Sequence, residues 1–152
     1  MDRAWWHEYG DELQEFAGEC WTTNSEAARI YRLNFIRGNV GAGVPKHGNA
    51  ITLGGNSGYQ ALALAVHFGA ARVVLLGYDM RNDGARTHWH GNHARLGNPI
   101  REKFRDWCAW FDVLKRDVGD RCEIVNASRV SDLHSFPRMS LSDAIDEAVT
   151  TR

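Results

Sequence analysis

The sequence contains no apolar run approaching the roughly 20 residues that a membrane-spanning helix requires. Its first residues lack the basic and apolar segments of a secretory signal. Three cysteines, Cys20, Cys108 and Cys122, are too few and too scattered for a disulfide framework or a thiolate metal cluster. A formal net charge of -1 argues against a protein that coats nucleic acid or binds an anionic membrane surface. These absences predict a cytoplasmic protein with no membrane partner and no direct nucleic-acid partner.

A chain of 152 residues has the length of one domain, and we predict a single domain over residues 1–152. Its centre combines a short apolar strand at 50–53, an apolar helix at 58–68 and an aliphatic strand at 72–77. Aliphatic runs without alternation are typical of parallel strands that are covered on both faces. A third strand is predicted at 122–126. The pattern predicts an α/β domain with a three-layer, Rossmann-like, mostly parallel sheet.

Four further segments have the spacing or the end signals of helices. They are 5–16, 25–36 after a cap at Asn24 or Ser25, 99–118 after a cap at Asn98, and a terminal helix that Ser140 and Asp143 cap. Three strands are few for such a sheet, which usually has about 4–6. Either a strand escapes the pattern, or the chain completes its core by association, for which a homodimer is reasonable, or it is part of a larger domain.

The turn between the first predicted strand and its helix is the main candidate site. It has the residues Gly54, Gly55, Asn56, Ser57 and Gly58. A turn from a parallel strand into a helix directs free N–H groups and the positive end of the helix dipole at a bound anion. Glycines allow phosphate to approach the backbone closely, and Ser57 can donate a hydrogen bond. The alternative is a tight structural turn in which Ser57 caps the helix.

Other polar residues follow the next two predicted strands. Asp79 follows the strand at 72–77, where it can hold a ribose hydroxyl or a metal, orient a histidine, or only cap the following loop. Asn126 and Ser128 end the third strand, beside the first two turns if the sheet is parallel. These residues line the candidate site if the three strand ends meet at one edge.

The long polar segment 78–98 carries the histidines of this region. His88 and His90 are candidates for a general base, because neutral histidine accepts a proton near pH 7. With a third histidine at His93, they can also bind zinc or manganese. The remaining interpretation is that all three are solvated loop residues.

Four segments in this order resemble a group of uncharacterised phage and prophage proteins. They are Gly-Gly-Asn-Ser-Gly-Tyr-Gln-Ala-Leu at 54–62, Val-Leu-Leu-Gly-Tyr-Asp-Met at 74–80, Thr-His-Trp-His-Gly at 87–91 and Val-Asn-Ala-Ser at 125–128. More distantly, the pattern is similar to bacterial sialyltransferases that use CMP-sialic acid. It is also similar to archaeal 6-hydroxymethylpterin diphosphokinase-like proteins.

The resemblance implies a nucleotide or nucleotide-sugar ligand, such as a CMP-sugar, and a glycosyltransferase-like activity. Ser57 and Gly58 would hold phosphate, Asp79 would line the site, and His88 or His90 would be the base. In that group another strand with a Gly-Pro-Ser-like turn precedes an Asp-x-x-Trp-Trp stretch. Here that stretch, at 2–6, directly follows Met1, which implies a shortened form without the first strand. If the chain is encoded by a phage, its compartment is the host cytoplasm.

Two alternatives stay open at this point. A metal-assisted diphosphokinase or phosphohydrolase would use Asp79 with the histidines. A non-catalytic phage accessory protein would bind a nucleotide or a protein partner, the latter through an aromatic surface to which the six tryptophans contribute.

Overall fold

The computed structural model describes residues 3–82, 84, 92–93 and 97–150. Within these ranges the chain forms five α-helices and six short strands. In order they are α1 (Arg3–Tyr9), β1 (Trp21–Thr22), α2 (Ser25–Tyr31), β2 (Asn34–Phe35), β3 (Arg37–Asn39), β4 (Ala50–Thr52), α3 (Ser57–His67), β5 (Arg72–Leu75), α4 (Arg101–Val118), β6 (Glu123–Asn126) and α5 (Leu141–Thr150). Among the described helices, none combines the length and the apolar character needed to cross a bilayer.

Strands β2 and β3 form one nearly continuous extended segment, 34–39, between β1 and β4. Its first half pairs with β1 and its second half with β4, both in parallel. The amides of Asn34 and Ile36 donate to carbonyls of the β1 region, at 2.9 and 3.0 Å. On the opposite edge, the carbonyl of Asn39 accepts from the amide of Leu53 at 2.9 Å. Because hydrogen-bonding groups alternate between the two edges of a strand, one extended segment joins both partners.

Strands β5 and β6 form the second parallel unit, in register from Arg72 opposite Glu123 to Leu75 opposite Asn126. Their predicted existence and parallel direction are confirmed. Helix α3 connects β4 to β5, yet in the described part of the chain these two strands do not hydrogen-bond to each other. The fold is therefore of the α/β type, with helices and short parallel sheets.

Alternate residues of β5 and β6 face two different hydrophobic clusters. Val73, Leu75 and Ile124 pack into the larger cluster with residues of α3 and α4. Val74 and Val125 pack instead into a smaller cluster with Ala144 of α5. Side chains of consecutive strand residues point to opposite faces, so apolar side chains cover β5 and β6 on both sides. The near-continuous aliphatic sequence of β5 follows from this double coverage.

The first two predicted helices are shorter than their sequence patterns indicated. The helix predicted at 5–16 is α-helical only to Tyr9, and a 3-10 helix (Gly10–Glu15) continues it. The helix predicted at 25–36 ends at Tyr31, because Arg32 adopts a left-handed backbone with φ 55°. The following residues belong to β2 and β3 instead. Tertiary pairing with β1 and β4 decides their conformation, which local periodicity does not report.

Helix caps differ in part from their prediction. Asn24 caps α2 by accepting from the Ala27 amide at 2.9 Å, and the Ser140 hydroxyl accepts from the Asp143 amide at 3.1 Å. These two caps are confirmed. The predicted cap at Asn98 is wrong, because α4 begins at Arg101. The Asn98 side chain instead accepts from the His93 amide through Oδ1 and donates to the His93 carbonyl through Nδ2.

Candidate functional site

The turn between β4 and α3 depends on its first two glycines. Gly54 and Gly55 adopt φ angles of 52° and 69°, which side-chain-bearing residues rarely occupy. A Cβ atom on Gly54 would lie 2.0 Å from the ring of Tyr59. The amide of Gly54 donates to the carbonyl of Gly41 at 3.0 Å, which ties the turn to the preceding loop. Both backbone conformation and close packing therefore require glycine at position 54.

Asn56, and not Ser57, caps helix α3. The Asn56 Oδ1 accepts from the Tyr59 amide at 2.8 Å, and its Nδ2 donates to the Gly54 carbonyl at 3.2 Å. The sequence interpretation that made Ser57 the cap is wrong, because Ser57 is already the first helical residue. Its exposed hydroxyl has no hydrogen-bond partner among the residues that the structure describes. The capping role falls to Asn56, and Ser57 is left available to a ligand.

A cavity of about 650 Å³ opens over residues 55–58 of this turn, within the size range of small-molecule sites. We call it the turn cavity. Its opposite wall is mainly the first half of α4. The lining residues outside the turn are Trp5, His93, Gly97, Asn98, Pro99, Ile100, Lys103, Asp106, Trp107 and Trp110.

Among the described residues, the walls of the turn cavity combine aromatic rings with the ammonium group of Lys103. A Cβ atom on Gly55 would lie 2.8 Å from the Trp110 ring and 2.9 Å from Trp107 Nε1. Glycine at this position therefore allows the backbone and the two indoles to approach closely. Lys103 supplies a positive charge and Asp106 a carboxylate on the same wall. The cavity can accept a planar ring and an anionic group together.

Two tyrosines support the turn from behind. The Tyr59 side chain is fully buried, and its hydroxyl accepts from the Gly43 amide at 2.7 Å and lies 3.1 Å from the Thr52 hydroxyl. The Tyr78 hydroxyl donates to the Gly58 carbonyl at 2.9 Å. Burial raises the pKa of Tyr78 to about 12, and burial also raises the pKa of Tyr59. Both phenols are neutral at physiological pH, and their hydrogen bonds fix the backbone on either side of the turn.

The polar residues at the ends of β5 and β6 bond to one another. Asn126 is fully buried, and its Nδ2 donates to Ser131 Oγ at 3.0 Å, while its Oδ1 accepts from the Ser128 amide at 3.0 Å. The Ser128 hydroxyl accepts from the Tyr78 amide at 2.9 Å. Asp79 is exposed. None of Asp79, Asn126 and Ser128 is among the described residues that line the turn cavity.

The structure thus brings together Gly55, Asn56, Ser57 and Gly58 on one cavity, with Gly54 packed beneath. His88 and His90 lie outside the described residues, so their role as a base stays a prediction. Sequence reasoning missed Trp107, Trp110 and Lys103 as wall residues. The sequence around the turn gives no signal for them, because all three lie on α4, which only tertiary packing brings to the turn.

Comparisons with protein-family models, with curated proteins and with solved structures found no match to this chain. Within the described ranges, no group of three or more histidine, cysteine, aspartate or glutamate side chains is arranged to hold a metal. Function is therefore inferred from the geometry of the turn cavity itself.

Proposed function

We propose that this chain binds a nucleotide or nucleotide-sugar in the turn cavity, and that it is a glycosyltransferase-like enzyme on a three-layer, Rossmann-like fold. The binding proposal rests on one observation: the α3 N-terminus, two tryptophans and a lysine all line one cavity of about 650 Å³. The cytoplasmic location of the protein and its assembly as a homodimer stay predictions.

The phosphate of the ligand would bind at the start of α3. The amides of Ser57 and Gly58 belong to the first helical turn, where N–H groups have no partner within the helix. The helix dipole adds a partial positive charge at the same place. The free hydroxyl of Ser57 and the ammonium of Lys103 supply two further donors at the cavity wall. Neutral and charge-assisted donors together match a phosphate or diphosphate group.

The base of the nucleotide would pack against the indoles of Trp107 and Trp110. Stacking of a base on an aromatic side chain contributes about 1–3 kcal/mol and depends little on base identity. Trp107 is itself held edge-to-face by Phe104, with ring centroids 5.4 Å apart. This contact restricts the indole before a ligand binds, which lowers the entropic cost of stacking.

The transfer step would use the histidine segment. His93 and Asn98, two described residues of segment 78–98, line the turn cavity. His88 or His90 would take the proton of an acceptor hydroxyl as its oxygen forms the new bond to the sugar. The bond from the sugar to the phosphate oxygen breaks, and the leaving phosphate keeps that electron pair. The Ser57 and Gly58 amides would stabilise this leaving charge.

Calorimetric titration with CMP tests the binding proposal, with Ser57→Ala as the informative variant. Loss of a hydroxyl that bonds to phosphate is expected to weaken CMP binding by about 5–30-fold, from about 1–2 kcal/mol. Ser25→Ala is a matched control, because Ser25 is likewise the exposed first residue of an asparagine-capped helix. The control should bind CMP as the wild type does.

Two outcomes would contradict the proposal. Absence of CMP and UMP binding at about 10 mM, a concentration that detects even weak ligands, would remove the nucleotide assignment. Wild-type affinity in Ser57→Ala would remove the turn as the phosphate site.

Activity is tested separately, by release of CMP from a CMP-sugar in the wild type and in His88→Ala and His90→Ala. Equal release rates in all three proteins would reject a histidine base.

A further inference from the structure

A second cavity lies along another face of helix α4. Its volume is about 560 Å³, and we call it the arginine cavity. The helix contributes Arg101, Phe104, Arg105 and Cys108 to it, whereas Ile100, Lys103, Asp106, Trp107 and Trp110 face the turn cavity. The other described lining residues are Met80, Arg81, Asn82, Gly84 and Asp132. The two cavities share no described residue, so they are separate candidate sites.

Positive charge exceeds negative charge among the described residues of the arginine cavity. Arg101 and Arg105 are one helical turn apart, and Arg81 approaches from the segment after β5. Arg81 pairs with Asp132 at 3.5 Å. The side chains of Arg101 and Arg105 make no ion pair or hydrogen bond within the described part of the chain. Two guanidinium groups are therefore free to bind an anion.

Asn82, which also lines this cavity, carries a hydrogen-bond acceptor that needs a donor. Its Oδ1 atom is shielded from solvent and receives no hydrogen bond within the described part of the chain. A buried acceptor without a donor is unfavourable, and a ligand hydroxyl or amide N–H that donates to it would remove this cost. The chemistry of the walls thus favours an anion that also carries a hydrogen-bond donor.

We infer that the arginine cavity binds the phosphate group of a small phosphate monoester that also carries a hydroxyl group. The two unpaired guanidinium groups match the two negative charges of a phosphate monoester, and each can bond through two N–H groups. Asn82 Oδ1 would accept from the hydroxyl, and Phe104 supplies an apolar wall. This site is independent of the proposed nucleotide site, since its residues lie on a different face of α4.

Protection of Cys108 from N-ethylmaleimide tests this inference on the full chain. Cys108 lines the arginine cavity, and a Cys20→Ser background leaves it as the more accessible of the two remaining thiols, since Cys122 is buried. Glycerol 3-phosphate is expected to slow Cys108 labelling, and inorganic phosphate to do so less effectively. Acetate at the same ionic strength should have no effect. In the Cys108→Ser protein, labelling of Cys20 reports any general stabilisation and should not change.

Variants on α4 supply the second arm. Arg101→Gln with Arg105→Gln is expected to raise the glycerol 3-phosphate concentration for half-protection at least about tenfold, as loss of charge-assisted hydrogen bonds requires. Arg116→Gln is the matched control, because Arg116 is exposed on the same helix and lines neither cavity. It should leave protection unchanged. Asn82→Ala should remove the advantage of glycerol 3-phosphate over inorganic phosphate.

The inference is overturned if neither phosphate compound protects Cys108 at about 20 mM, a concentration that reveals even millimolar affinity. Equal protection by acetate would overturn the assignment to phosphate. Equal loss of protection in the double variant and in Arg116→Gln would show a general charge effect and would also overturn it. CMP titration of the double variant separates this site from the turn cavity, because its CMP affinity depends on Ser57 and not on Arg101 or Arg105.

Discussion

Gly54→Ala is the substitution that tests the turn most directly. An alanine at φ 52° costs about 1–2 kcal/mol in backbone strain. The new methyl would also lie 2.0 Å from the Tyr59 ring, which is fully buried and held by hydrogen bonds to Gly43. Because the ring has little room to move, overpacking adds about 1–3 kcal/mol. The free energy of unfolding should therefore fall by about 2–5 kcal/mol.

Gly69→Ala is the matched control for the backbone part of this cost. Gly69 has φ 80° just after α3, and a Cβ atom there would meet nothing within 4 Å. Its amide and that of Ala70 bond back to the last turn of the helix, at 3.0 and 3.1 Å, as in a glycine-terminated helix. Alanine at this position should cost only the strain, about 1–2 kcal/mol. The difference between the two variants isolates the contact with Tyr59.

Urea unfolding of both variants, followed by circular dichroism, measures this difference. With an m-value of about 2 kcal/mol per molar, a loss of 3 kcal/mol lowers the midpoint by about 1.5 M urea. The m-values must agree between variants for the midpoints to be compared. If the free energies of unfolding of the two alanine variants agree within about 0.5 kcal/mol, about the scatter of such measurements, the Tyr59 ring is not a rigid wall and does not restrict position 54 to glycine.

Two further predictions concern the residues behind the site. Asn126→Ala should lower the free energy of unfolding, measured in urea, by about 2–4 kcal/mol, because Ser131 and the Ser128 amide lose their buried partner. An equal loss of stability in Asn49→Ala, at an exposed position, would contradict a structural role for Asn126. Burial raises the pKa of Tyr78 to about 12, so above pH 10 the unfolded chain loses this proton first while the folded chain keeps it. The folded state then binds more protons, and its stability should fall between about pH 10 and 12 by at most about 2–3 kcal/mol. Urea unfolding across this pH range should show a shallower fall in Tyr78→Phe, and identical pH profiles would reject the assignment.

The sequence pattern predicted the elements whose residues are mostly apolar. The strand at β4, the helix α3 and the strands β5 and β6 were confirmed with boundary differences of a few residues, because their apolar character reflects burial on both sides. Strands β1, β2 and β3 have only two or three residues each. Such short strands form because neighbouring strands supply hydrogen bonds, so a local pattern does not reveal them.

The candidate site divides in the same way. Glycines at 54 and 55 predict a tight turn into a helix, since positive φ angles are a local property, but the capping residue is Asn56 and not the predicted Ser57. Which side chains face that turn is not local. Trp107 and Trp110 lie about 50 residues further along the chain, and only the packing of α4 brings their indoles against Gly55.

The sequence by itself therefore determined the turn between β4 and α3, its glycine requirement and the parallel, doubly covered character of β5 and β6. Tertiary structure decided what surrounds the turn. It directed Asn126 and Ser128 into internal hydrogen bonds, and it placed tryptophans and a lysine over residues 55–58. The physical reason is that backbone conformation follows from neighbouring residues, whereas a cavity forms only where distant elements pack together.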